Sequence, residues 1–187
     1  MADLYYTANM SLDGYTTDAH GNFDFSEPDD EVHQYFNDFE RGFDTALYGR
    51  AMYETMVYWE TNPADDEESL IGREFADVWR AQRKIVYSAT LESVTSEHTA
   101  LERVFYPEAV REMVRAEPRN VSIGGPTIAA TALRAGIVDY VNLLVIPQIL
   151  GGGLAALPGG LRASLELVEE QRFSGGTVRL LYRVPDI

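Results

Sequence analysis

Val121-Ser122-Ile123-Gly124-Gly125-Pro126-Thr127 is the stretch whose reading decides the fold. Asn120 to Ile123 is short and rich in β-branched residues, as a strand requires. Gly124-Gly125 turns the chain. Pro126 suits a first helical position, and Pro126 to Ala135 reads as a helix closed by Gly136. Strand, glycine turn and helix start together aim free backbone N–H groups at an anion. Thr127 can add a hydroxyl donor. The same run also serves as a tight connection with no ligand, because a paired glycine is far less specific than a full dinucleotide fingerprint.

The pattern recurs upstream. Thr45-Ala46-Leu47-Tyr48 reads as a strand ending at Gly49, and Arg50 to Val57 as a helix. Arg50 is a cation at a helix start, where the helix dipole disfavours it. A bound phosphate would explain that placement, and so would a solvated arginine. Leu4 to Met10 reads as an opening strand, broken by Ser11-Leu12-Asp13-Gly14 and resumed by Tyr15 to Thr17. Asp13 is either a turn residue or a group at the mouth of a site, where parallel strands deliver their carboxyl ends.

The remaining segments fill in the class. Ser26 is a candidate cap, Pro28 a first-turn residue and Asp29 a capping-box acid for a helix carrying Val32, Tyr35, Phe36 and Phe39. Asn62 to Ser69 reads as an acidic loop, and Phe75, Val78 and Trp79 as a short helix. Lys84 to Ser88 is a strand, Arg103 to Tyr106 a weaker one, and Pro107 to Ala116 a helix. Val138 to Pro147 is a long strand, and Gly151-Gly152-Gly153 a flexible break. Leu165 to Phe173 and Thr177 to Val184 alternate as a closing antiparallel pair. Strands alternating with helices, then this pair, predict an α/β protein with a mostly parallel central sheet and an antiparallel edge. At 187 residues, one domain over residues 1–187 is expected.

Composition removes several functions. With no cysteine, disulfides, thiolate nucleophiles and Cys-ligated zinc are excluded. His20, His33 and His98 lack metal-ligand spacing, so no metal site is expected. Thirty acidic against fifteen basic residues give a net charge of −15, which disfavours nucleic acids and anionic membranes. Val138 to Leu150, the longest apolar stretch, is interrupted by Asp139, Asn142, Pro147 and Gln148 and is too polar to span a bilayer. No secretory signal is visible after Met1, and the expected location is cytoplasmic.

In order along the chain, Ala8-Asn9-Met10-Ser11-Leu12-Asp13-Gly14, Leu47-Tyr48-Gly49-Arg50 with Tyr53-Glu54, and Ile85-Val86-Tyr87-Ser88 form a set. Ile123-Gly124-Gly125-Pro126-Thr127, Leu133 to Asp139, Pro147 to Gly153 and Phe173 to Val178 complete it. This set resembles the dihydrofolate reductase-like superfamily, and within it the C-terminal reductase domain of the riboflavin-biosynthesis deaminase/reductase. The resemblance covers nearly the whole chain. It implies a central sheet with helices on both faces, an NADPH cofactor, hydride transfer to a pyrimidine- or pteridine-like heterocycle, and a homodimer.

Carried over by position, Gly124, Gly125, Pro126 and Thr127 would hold the pyrophosphate, with Ile123 before them also at the cofactor. Gly49, Arg50 and Ser88 would face the adenosine half. Ala8 and the turn from Ser11 to Gly14 would face nicotinamide and substrate, with Asp13 as the polar group orienting substrate. The sequence departs from the family at Ala51-Met52, where relatives often place a basic residue and a hydroxyl for the 2′-phosphate. NADH therefore stays open beside NADPH. No buried carboxylate is assigned, since Asp29, Asp30 and Glu31 lie at a helix start where acids are expected. The alternative function is a non-catalytic nicotinamide-nucleotide-binding or regulatory protein on the same fold. A purely structural dimer comes third.

Overall fold

The computed structural model describes residues 1–61 and 70–185. Ten strands follow along these residues: β1 (Leu4–Ser11), β2 (Tyr15–Thr17), β3 (Thr45–Gly49), β4 (Arg83–Tyr87), β5 (Thr99–Glu102), β6 (Val121–Gly124), β7 (Tyr140–Ile146), β8 (Leu154–Ala155), β9 (Glu166–Arg172) and β10 (Val178–Arg183). The α-helices are α1 (Asp30–Glu40), α2 (Arg50–Met56), α3 (Tyr58–Thr61), α4 (Leu70–Ala81), α5 (Pro107–Ala116) and α6 (Pro126–Arg134). Eight strands share one sheet in the order β5-β4-β3-β6-β1-β7-β10-β9, while β2 and β8 pair separately. The six strands from β5 to β7 run parallel, and β10 is antiparallel to both β7 and β9.

Burial on both faces explains the apolar runs in the central strands. Thr45, Ala46, Leu47 and Tyr48 of β3 are all buried. Leu4, Tyr6 and Ala8 of β1 share a core with Val110 and Val114 of α5 and with Ile128, Ala129, Ala132 and Leu133 of α6. On the opposite face Tyr5 stacks on Tyr140 at 4.5 Å and meets Phe39 and Phe43 edge-on. Val32 of α1 packs there with Leu144 and Phe173. Helices therefore cover both faces, as expected.

Four local expectations change. Asp29, not Ser26, caps α1: its Oδ1 accepts from the Val32 amide at 2.9 Å, while the Ser26 hydroxyl donates to the Phe23 carbonyl. Ser26 falls in a short 3-10 turn instead. The weak strand expected at Arg103 to Tyr106 lies upstream at β5, where Thr99 to Glu102 align with Lys84 to Tyr87. The glycine run at 151–153 is pinned rather than loose, because the Gly151 amide donates to Asp13 at 2.7 Å. Tyr15 to Thr17 leaves the main sheet and pairs with β8. The acidic loop expected from Asn62 to Ser69 lies outside the described residues.

Candidate active site

The parallel strands end on one edge of the sheet. Register places Gly124 beside Tyr48 on one side and Thr7 on the other, and Gly49 beside Tyr87. The Gly49, Ser88 and Gly124 segments therefore share the carboxyl edge of three consecutive strands of the sheet, β4, β3 and β6. Open α/β sheets bind ligands at this edge.

Two helices begin there. Gly49 precedes α2 and Gly125 precedes α6, and neither helix has a side-chain cap. The first turn of any helix leaves its amides without intrahelical acceptors. In α6 these are the amides of Thr127 and Ile128, since Pro126 has none and the Ala129 amide already reaches the Gly125 carbonyl. Thr127 is exposed. Gly49 lies against α6: a Cβ added there would stand 3.6 Å from the Ile128 Cβ.

The glycines at the turn answer to their own chain. A Cβ at Gly124 would lie 3.1 Å from Cε1 of Tyr48, and one at Gly125 would lie 3.1 Å from Cβ of Met52. Gly125 also has φ +100°, a conformation that L side chains rarely adopt. Packing against Tyr48 and Met52 thus calls for glycine at both positions without any ligand. The open amides of α6 remain the feature that favours an anion.

The other predicted residues are placed as follows. Arg50 opens α2, with its Nε donating to Glu54 at 2.7 Å and one Nη to Thr90 at 3.1 Å. Its charge is thus shared with a carboxylate one turn along. Ser88 is buried, and its Oγ accepts from the amides of Leu91 and Thr90, which shapes the turn after β4. Ala8 is buried in β1 beside Leu143. Gly14 has φ +90° and its carbonyl accepts from the Ala156 amide.

Asp13 is bound to its own loops. Its carboxylate accepts from the Ser11 hydroxyl at 2.7 Å and from the amides of Leu150 and Gly151. The Ser11 bond first, then those amides, hold its pKa down at about 2. The side chain staples the turn after β1 to the glycine loop after β7. At neutral pH it is a carboxylate with no proton to give.

Sequence reasoning missed a cavity of about 180 Å³ on the α1 face of the sheet. Asn9, Leu144 and Ile146 supply its floor from β1 and β7, Asp29 and Val32 its wall from the start of α1, and Thr177 its rim. The side-chain amide oxygen of Asn9, Oδ1, is itself buried without a partner. The signal was the period of two in β1, which sends Asn9 to the face opposite Tyr6 and Ala8. Asn9 stood inside the resemblance segment but had been given no role. Because β1 lies between β6 and β7, this cavity adjoins the glycine turn across one strand.

The sequence and the fold agree on relatives. The RibD C-terminal domain model matches residues 2–179. The chain belongs to the RibD C-terminal domain family. Among curated proteins, the uncharacterized YyaP of Bacillus subtilis is 25% identical over 179 residues, covering 92% of this chain and 90% of YyaP. A Thermotoga maritima diaminohydroxyphosphoribosylaminopyrimidine deaminase/5-amino-6-(5-phosphoribosylamino)uracil reductase superposes with TM-score 0.67 at 16% identity, covering 98% of this chain and 57% of that one. Dihydrofolate reductase from Enterococcus faecalis, complexed with NADP(H), superposes with TM-score 0.64 at 14% identity over 98% and 97% of the two chains. This member of the RibD C-terminal domain family thus has the dihydrofolate reductase-like fold. Among the described residues, no helix is long and apolar enough to cross a membrane.

Proposed function

We propose that this chain is a nicotinamide-nucleotide-dependent reductase of a small heterocycle, with NADPH as hydride donor and residues 1–187 as one reductase domain. The observation that carries this reading is the pair of uncapped helix starts, α2 after β3 and α6 after β6, on the same sheet edge as a ring-sized cavity whose lining strand β1 adjoins β6. A dinucleotide needs donors for its phosphates and a neighbouring recess for its reactive end. The donor set fits a diphosphate: the amides of Thr127 and Ile128, reinforced by the helix dipole, with the Thr127 hydroxyl beside them.

In this reading Gly49 and Arg50 lie along the adenosine half. Ala8 and the turn from Ser11 to Gly14 border the nicotinamide. Asp13 acts by positioning, since its staple fixes the loop that edges the cavity. Bound nicotinamide would supply the hydride from its C4. The protein's own part is to hold that carbon against the acceptor ring and keep the approach fixed. The family resemblance also supports a homodimer, which light scattering of the purified protein tests.

Calorimetric titration of NADPH and NADH into wild type and Arg50→Ala tests the reading. NADPH binds wild type, and Arg50→Ala weakens NADPH by about 1.5–3 kcal/mol, the worth of a charge-assisted phosphate contact. Equal loss for both cofactors would remove Arg50 from 2′-phosphate recognition. Absence of binding by either nucleotide would refute the function. Binding without NADPH oxidation in the presence of pyrimidine or pteridine rings would favour a non-catalytic nucleotide-binding protein.

A further inference from the structure

β5 ends at Glu102, so Arg103 lies outside the strand in which the sequence placed it. The Glu102 carbonyl accepts from the Ser88 amide at 2.9 Å, which brings Arg103 alongside the turn after β4. One Nη of Arg103 donates to the carbonyls of Ser88, at 3.3 Å, and Leu91. The other donates to that of Glu92 at 3.4 Å. One guanidinium thus gathers three carbonyls of a single turn.

The amides of that turn are held as well. The Ser88 Oγ accepts from Leu91 at 3.0 Å and from Thr90 at 3.3 Å. With carbonyls and amides both fixed, the Thr90 hydroxyl accepts from an Nη of Arg50 at 3.1 Å. That bond uses a lone pair and leaves the hydroxyl its own proton to donate. Glu54 accepts from the Nε of Arg50 at 2.7 Å, on the other side of the guanidinium. Arg50, Thr90 and Arg103 are all exposed. The hydroxyl that the sequence lacks at Ala51-Met52 is therefore present beside Arg50, delivered from a different loop.

We propose that Arg103 is a positioning residue for NADPH. By fixing the turn from Ser88 to Glu92 it keeps the Thr90 hydroxyl beside Arg50, where the two donate together to the 2′-phosphate of the cofactor. Arg103 also neutralises carbonyl oxygens of this turn, which matters for an anion approaching a protein of net charge −15. The inference rests on the reductase reading for its ligand. It makes the chain selective for NADPH without a basic residue or a hydroxyl at Ala51-Met52.

Calorimetric titration of NADPH and NADH into wild type, Thr90→Val, Arg103→Met and the double variant tests the proposal. Thr90→Val should weaken NADPH about fivefold, the worth of one hydrogen bond, and leave NADH unchanged. Arg103→Met should do the same without removing any group that touches the phosphate. The double variant should lose no more than the larger single loss, because both changes remove one contact. Thermal midpoints of the variants separate a loss of fold from a loss of affinity, and Thr90→Val decides alone if Arg103→Met does not fold. Unchanged NADPH affinity in either single variant would overturn the proposal and leave the reductase reading standing. So would equal losses for NADPH and NADH, or losses that multiply in the double variant. Failure of wild type to bind either nucleotide would refute the reductase reading, and this inference with it.

Discussion

The ring of Tyr48 stands so close to Gly124 that a methyl group on that glycine would lie 3.1 Å from its edge. Strand register sets the contact, since Tyr48 and Gly124 are direct partners in β3 and β6. The glycine turn is therefore a packing joint as well as a candidate phosphate site, and the two roles separate by experiment. Gly124→Ala should destabilise the fold by about 1–3 kcal/mol, the usual cost of overpacking, measured by urea denaturation. In a Tyr48→Ala background the same substitution should cost much less, because the opposing ring is gone. An unchanged penalty would place its cause elsewhere.

Gly125 carries a different constraint. Its φ of +100° is a backbone requirement, and Met52 fills the space where a Cβ would go. Gly125→Ala should cost about 1–3 kcal/mol from backbone strain alone. Shortening Met52 to alanine should recover only part of the loss, because the strain persists. Full recovery would show that contact, not conformation, demands glycine here.

Asp13 predicts an acid limb of stability. Its folded pKa of about 2 lies below the ordinary aspartate value of 3.8, so the carboxylate contribution is complete above pH 4 and is lost as pH falls through 2. Asp13→Asn should flatten the fall in thermal midpoint between pH 4 and 2. It should also speed amide exchange at Leu150 and Gly151 at neutral pH, because the neutral amide is a weaker acceptor. Unchanged exchange at both amides would contradict the staple.

Lys84 predicts an alkaline rise. It is fully buried, and its ammonium donates to the carbonyls of Trp79 and Gln82, both at 2.9 Å. Burial lowers its pKa to about 8 from an ordinary 10.5. Between these values the unfolded chain binds more protons, so stability should climb with pH. Tyr5 and Tyr35, both raised to about 12 by burial, reverse the slope above pH 10, since there the folded form retains more protons. Lys84→Met should abolish the rise between pH 8 and 10. It should also cost about 1–3 kcal/mol by leaving buried carbonyls without a donor.

Much of this was legible in the sequence, for physical reasons. Pro107 fixed the start of α5 and Gly136 the end of α6, because proline and glycine dictate backbone angles locally. The parallel core was readable because strands buried on both faces are apolar throughout, as in β3. The cap of α1 was missed because Ser26, Asp29 and Asp30 all suit a cap, and only the approach of the chain selects Asp29. β5 was misplaced because its residues Thr99-Ala100-Leu101-Glu102 do not alternate apolar with polar, although their burial alternates. The cavity was invisible because it gathers Asn9, Asp29, Leu144 and Thr177 across long sequence separations. Asp13 was singled out as either a turn residue or a group at the mouth of a site, and its partners at Leu150 and Gly151 are set by tertiary structure alone.

The central claim is that a nicotinamide dinucleotide lies across the starts of α2 and α6 with its reactive end at the β1–β7 cavity. An amide-resolved NMR titration of the labelled protein with NADPH tests it most directly. The account predicts saturable shifts at Gly49, Arg50, Gly125, Thr127 and Ile128, with further shifts at Asn9 and in the turn from Ser11 to Gly14. Saturable shifts confined to any other surface, or no shifts at millimolar NADPH, would contradict it.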